Sequence, residues 1–334
     1  MPRSRRWTTS TTLSRRSSRI NLLPVIRRLS GIVLLVLLAG VSILLGGLAA
    51  DPLGALRTAG AAALRAAGAH VELFRAPDGT RLRAFVAGPL STECPVVLLH
   101  GLGADATYWA GTVRALTVAG RTAIALDAPG SGGSGTPAAP EGFSLEARVA
   151  AVEAMSRALR LDRFDLVGHS LGGATAGLFA LARPERVGRL VLVDAAGFSR
   201  VDGERFAQFL EIARPADRRG ARRLLDLLFF RKPLPSAGVV ADALARRFLA
   251  PNVQTTITEA GRPDILLGKE ADLPFGTVLI WGQEEALFPV AVAREAAARI
   301  PGARLLVVTG AGHDVPLEAP AAFDEALSRA LAAR

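Results

Sequence analysis

From His70 onward, apolar positions gather into short runs separated by turns and amphipathic stretches. "HVELFRAPDGTRLRAFVAG" reads as two strands joined by a turn at Pro77, Asp78 and Gly79. Six further runs follow: "PVVLLH", "TAIALD", "FDLVGH", "RLVLVDA", "TVLIWG" and "RLLVVTG". They are apolar on consecutive positions, so both faces of each strand must be covered. Most are separated by helix-like segments such as "FSLEARVAAVEAMSRALR". Strands alternating with helices predict an α/β fold with a mostly parallel eight-stranded sheet and helices on both faces. No internal repeat of fixed period is present.

The alternation breaks over residues 197–273, where helix-like patterns and Pro-rich joints occur without a convincing strand. An insertion of this size between strands reads as a helical cap or lid, because sites lie at strand ends. It divides the core into residues 70–196 and 274–334. Within it, "RRGARRLLDLLFFRK", Arg218 to Lys232, places basic residues on either side of a Leu/Phe cluster. Two readings stand: a cap helix with its apolar side on the core, or a lid that touches lipid or shapes an acyl pocket.

The N-terminal region has three parts. Residues 1–28 are rich in Ser, Thr and Arg without acids and read as a disordered tail. Residues 29–50, "LSGIVLLVLLAGVSILLGGLAA", carry no charge. As a helix they span roughly 33 Å, enough for a hydrocarbon core of about 30 Å. The expectation is a transmembrane anchor; the alternative is a signal peptide cleaved near "GLAA". In either case the arginines keep the tail cytoplasmic and place the following domain on the non-cytoplasmic side, single-pass or secreted. The Ala-rich residues 51–69 read as a helical stalk.

Charge changes this picture less than its total suggests. The formal net charge is +10, but eight arginines up to Arg28 account for most of it, leaving +2. Without a basic field or a recognisable motif, no nucleic-acid partner is expected. The single cysteine, Cys94, excludes an intrachain disulfide and a Cys-rich metal site, and reads as a small buried residue at a strand start. No residues suggest a metal or organic cofactor, and no required protein partner is evident.

The strongest chemical pattern is "LVGHSLGGA", in which Gly168, Ser170 and Gly172 form G-x-S-x-G between a strand and the helical run "ATAGLFALAR". Such a turn exposes the serine above the sheet, beside a helix N-terminus that favours negative charge. A serine nucleophile needs a base and an acid that orients it. Of the four histidines, His70 lies at the end of the stalk, His100 precedes a glycine loop, and His169 adjoins the serine with its side chain directed elsewhere. His313, in "TGAGHDVPLEAP" after the last strand, is the candidate base. Glu285 in "LIWGQEEALFP" is the favoured acid, with Asp194 at the end of "LVLVD" as alternative and Glu284 as a third possibility. The Leu102 amide in "LLHGLGA" and the Leu171 amide are the candidate oxyanion-hole donors.

These motifs resemble those of the α/β-hydrolase fold family: "HGLG", "DAPGSGGSG", "GHSLGG", "WGQEEALFP" and "GHDVPLEAP" occur in the family's order over about residues 70 to 334. The family usually has Asp at the position of Glu285. "DAPGSGGSG" also contains G-x-G-x-x-G, but a dinucleotide fingerprint requires its glycines to open a helix, and "TPAAPEG" follows instead. The resemblance implies a bend after the strand ending at Asp127. It also implies a serine hydrolase cleaving a carboxylic ester, with a lipid ester as the candidate substrate, since the chain is similar to membrane-anchored lipases and monoacylglycerol lipases. The alternatives are a C–C bond hydrolase of dienone-type acids, which would need an arginine in its pocket, and a catalytically silent membrane-tethered scaffold. Retention of both Ser170 and His313 speaks against the scaffold.

Overall fold

Each central strand carries side chains into two cores, which is why its sequence is apolar at every position. In the computed structural model, which describes residues 51–90, 94–199, 211, 218–231, 237–262 and 264–332, β3 (Val96–Leu99) sends Val97 and Leu99 to one face and Val96 and Leu98 to the other. β7 (Val278–Gly282) divides Leu279 and Trp281 from Val278 and Ile280 in the same way. Burying each such side chain stabilises the fold by about 1.5–3 kcal/mol.

The other strands are β1 (His70–Arg75), β2 (Arg81–Ala87), β4 (Ala123–Leu126), β5 (Phe164–His169), β6 (Val187–Val193) and β8 (Arg304–Val308). They form one eight-stranded sheet in the order β1-β2-β4-β3-β5-β6-β7-β8. Strand β2 is antiparallel to both neighbours, and from β4 to β8 every pairing is parallel. The expected turn closes the β1–β2 hairpin: Ala76 N–H donates to Thr80 O at 2.9 Å, and Thr80 N–H to Asp78 Oδ1 at 2.9 Å.

Helices α1 (Pro52–Ala66) and α2 (Ala110–Val118) contribute Leu64 and Val113 to one core. Helices α3 (Leu145–Ala158) and α4 (Leu171–Ala182) contribute Val152 and Phe179 to the other. The segment expected as a stalk is therefore corrected in one respect: it is helical, but Leu64 is fully buried against the body of the domain. Tail 1–28 and apolar run 29–50 lie outside the described residues. Among the described residues no helix is long and apolar enough to cross a membrane.

Between β6 and β7 come α5 (Arg218–Leu228), α6 (Ala237–Phe248) and α7 (Pro251–Ala260). In α5, Leu224 and Leu225 are buried, whereas Phe230 beyond its end is 54% exposed. The chain closes with α8 (Val290–Arg299) after β7, then α9 (Val315–Glu318) and α10 (Pro320–Ala332) after β8.

Cys94 is only partly buried and sits in a positive-φ turn just ahead of β3, correcting the expectation of a buried strand residue. Its Sγ lies 3.6 Å from the buried Asp165 carboxylate; burial, then that carboxylate, push the thiol up to about 11. The glycine-rich loop after β4 wraps a carboxylate of its own chain. Asp127, fully buried, accepts from Ala106 N–H at 2.7 Å, Gly133 N–H at 2.8 Å and Arg83 Nε–H at 2.6 Å. A Cβ on Gly132 would lie 2.4 Å from Asp127 Oδ1, at a φ of +54°. The space a phosphate would need is thus filled by an internal carboxylate.

Candidate active site

Ser170 stands between β5 and α4 at φ 52° and ψ −120°, a strained conformation for a residue with a side chain. Surrounding contacts allow no alternative residues beside it. A Cβ on Gly168 would fall 2.2 Å from Gly172 O, and one on Gly172 would fall 2.3 Å from Leu99 O. The G-x-S-x-G spacing is the steric signature of this turn.

His313 reaches Ser170 from the loop after β8, with Nε2 3.0 Å from Oγ. Its Nδ1 lies 2.5 Å from Glu285 Oε2. The other oxygen of Glu285 is pinned by Leu287 N–H at 2.6 Å and Phe288 N–H at 3.2 Å. This tight wrap accommodates the longer glutamate where the family usually has aspartate. Burial alone would lower the His313 pKa, but the Glu285 carboxylate, with help from Asp314 and Glu318, outweighs it and raises the pKa.

The two alternative acids are placed otherwise. Asp194 is fully buried and accepts from Gly282 N–H at 2.8 Å. Burial first, then the Glu285 charge, push it well above the usual carboxylate range, so it resists becoming the anion an orienting acid must be. Glu284 turns back onto the chain, accepting from Gly310 N–H at 2.9 Å and Ala311 N–H at 3.1 Å.

Leu102, Leu171, Ser170 and His313 line one cavity of about 240 Å³. The cap supplies much of the remaining, largely apolar wall, with Leu228 at the end of α5, Phe229 just beyond it, Phe248 of α6 and Ile257 of α7. Arg247 also lines it. Its Nε donates to Gly103 O at 2.6 Å, while its Nη2 is buried without a partner among the described residues. The arrangement is chemically equipped for attack on a carbonyl: a hydroxyl beside an imidazole, with Leu102 and Leu171 at the wall of a largely apolar cavity.

Two residues not assigned a role from the sequence hold His313 in place. His169 donates from Nε2 to the His313 carbonyl at 2.8 Å and stacks on Tyr108 at 5.0 Å. Burial, then His313, hold its pKa well below the ordinary value, so it is neutral. Glu318 accepts from Gly312 N–H at 2.9 Å, from Asp314 N–H at 3.3 Å and from Arg231 N–H at 2.7 Å. It thereby brackets His313 and ties its loop to the cap, whose Leu228 O accepts from His313 N–H at 3.1 Å. The phrase "GHDVPLE" contains this glutamate, but spacing alone does not distinguish it from a solvated helix residue.

Comparison with known proteins agrees with this architecture. A family model described as alpha/beta hydrolase fold matches residues 95–320. A 2-hydroxy-6-oxo-2,4-heptadienoate hydrolase of Pseudomonas putida is 30% identical over 274 residues, covering 75% of this chain and 96% of that protein. The crystal structure of a bacterial membrane phospholipase A superimposes with a TM-score of 0.68 at 25% identity, over 92% of this chain and 99% of that one. A meta-cleavage product hydrolase from Pseudomonas fluorescens gives a TM-score of 0.66 at 25% identity, over 78% and 97%. From the strand order, the serine turn and the family match together, the chain belongs to the α/β hydrolase family.

Proposed function

We propose that the protein is a serine hydrolase that cleaves a carboxylic ester, of lipid character, through an acyl-enzyme. The observation that carries this reading is the unbroken chain from Ser170 Oγ to His313 Nε2 at 3.0 Å and from His313 Nδ1 to Glu285 at 2.5 Å. Ser170 Oγ attacks the ester carbonyl carbon as its proton passes to His313 Nε2. The negative oxygen of the tetrahedral intermediate is held by the Leu102 and Leu171 amides. Collapse breaks the C–O bond, and His313 gives its proton to the departing alkoxide. Water, deprotonated by the same imidazole, then attacks the acyl-enzyme, releasing the acid and restoring the serine.

The apolar cavity supports an acyl chain, and the uncharged run 29–50 supports a membrane anchor that delivers the enzyme to lipid. The alignment of a membrane phospholipase A with 92% of this chain favours the same reading. Fluorophosphonate should label the full-length chain, and labelling should vanish in Ser170→Ala and fall sharply in His313→Ala. A p-nitrophenyl ester series then reads acyl preference, and carbonate extraction of membranes reads the anchor. Folded wild-type chain that takes no label would overturn the proposal.

One observation favours a second reading. Arg247, whose buried Nη2 beside the cavity has no partner among the described residues, suits an anionic substrate, and the Pseudomonas putida relative is a 2-hydroxy-6-oxo-2,4-heptadienoate hydrolase. Turnover of a dienone-type acid, lost in Arg247→Met while ester turnover persists, would favour that chemistry.

A further inference from the structure

Arg148 of α3 is buried, at 5% exposure, yet has no carboxylate partner among the described residues. Removing a guanidinium from water without a counter-charge is costly, and an apolar side chain of similar length would fill the space more cheaply. Burial lowers its pKa only to about 10, so it remains charged at neutral pH. Its hydrogen bonds show what that cost secures. Nη2 donates to the His100 carbonyl at 3.2 Å, and Nε donates to Thr175 Oγ1 at 3.3 Å. The Thr175 hydroxyl in turn donates to Leu171 O at 2.9 Å.

These two contacts lie at the roots of two different segments. His100 leads into Gly101 and Leu102, whereas Thr175 is one helical turn beyond Leu171. The segments press closely together: a Cβ on Gly172 would lie 2.8 Å from His100 O, and one on Gly101 would lie 3.1 Å from the Ser170 Cβ. His100 is itself fixed. Its Nε2 accepts from Ala128 N–H at 3.1 Å, which leaves the proton on Nδ1, 2.8 Å from Gly101 O. Burial, then the Arg148 charge, lower the His100 pKa to about 4, keeping the ring neutral in that tautomer.

We propose that Arg148 is a positioning residue for the oxyanion hole: it straps the His100 carbonyl to Thr175 and so fixes the separation of the Leu102 and Leu171 amides. The inference rests on the serine-hydrolase reading above. An amide displaced by about 1 Å can cost on the order of a hundredfold in turnover. Such a loss falls on the transition state, where the oxyanion forms, and spares ground-state binding.

The test uses the full-length chain as wild type, Arg148→Met, Arg148→Lys and Thr175→Val. Each is titrated with fluorophosphonate, assayed with p-nitrophenyl butyrate, and measured for affinity to a trifluoromethyl ketone whose adduct carries an oxyanion. Arg148→Met should lower kcat about 10- to 100-fold with KM within about threefold, and ketone affinity should fall by the same factor as kcat/KM. Arg148→Lys should recover part of both, and Thr175→Val should lower both about 3- to 10-fold. A labelled wild type beside a folded Arg148→Met with unchanged kcat and ketone affinity would overturn the inference alone. If Arg148→Met does not fold, unchanged values in Thr175→Val overturn it equally. A wild type that neither labels nor binds the ketone would remove the hydrolase reading, and this inference with it.

Discussion

Glu285 and Asp194 follow neighbouring strands and repel one another in the same buried corner, yet only Glu285 is hydrogen-bonded to the His313 ring. Asp194 accepts at Oδ1 from Gly282 N–H and, among the described residues, leaves Oδ2 without a partner. The charge that faces the imidazole is therefore that of Glu285. Glu285→Gln should lower kcat about 10³- to 10⁴-fold, the scale on which triads lose turnover when the orienting acid is neutralised. Asp194→Asn should change kcat less than about threefold, since it removes no contact to His313. Steady-state kinetics on titrated enzyme compare the two, and a larger loss from Asp194→Asn would reverse the assignment.

The acid limb of the pH profile follows from the same pair. His313 acts as a base only when neutral, and its pKa is raised, so kcat/KM of wild type should fall as pH drops through a value above the ordinary 6.5. Glu285→Gln removes the largest raising influence and should move that limb to lower pH, even though the plateau is far lower. A limb that stays in place would show that another group titrates there.

Asp314 offers a stability test. Burial is the main cause that pushes its carboxyl from 3.8 up to about 6, so the folded state binds this proton more tightly than the unfolded chain. Stability from this group is full below about pH 4 and is lost as pH rises to about 6. Asp314→Asn should therefore match wild type near pH 4 and exceed it above pH 6 by at most about 3 kcal/mol. Urea melts at the two pH values read the difference. An advantage that shrinks with rising pH would have the wrong sign.

The loop around Asp127 predicts the separation of stability from chemistry. Asp127→Ala would leave two backbone amides and the Arg83 guanidinium without their buried acceptor, costing about 3–5 kcal/mol. Enzyme that remains folded at low temperature should keep its turnover per fluorophosphonate-titrated site within about tenfold, because this loop bonds to none of Ser170, His313 and Glu285 and reaches the oxyanion-hole segment only through Ala128 N–H on His100 Nε2. A chemical role for the loop would appear as lost turnover in folded protein.

Local sequence determined the strands, the serine turn and the family. Consecutive apolar runs dictate two-faced burial, and Gly168 and Gly172 are required because a Cβ at either would strike backbone. His313 was legible as well, because no other histidine lies downstream of Ser170 on a loop after a strand. What periodicity does not encode is which groups meet across sequence separations that run from 28 residues for Glu285 and His313 to 144 for His169 and the His313 carbonyl. Asp194, Glu284 and Glu285 are all carboxylates beyond strand ends, and only the wrap of Leu287 and Phe288 amides around Glu285 aims it at the imidazole. The same holds for His169 on the His313 carbonyl, for Glu318 between that loop and the cap, and for α1 laid against the domain. Backbone geometry and burial period are written in neighbouring residues, whereas hydrogen-bond partners across the sheet edge are selected by packing, which only the folded chain decides.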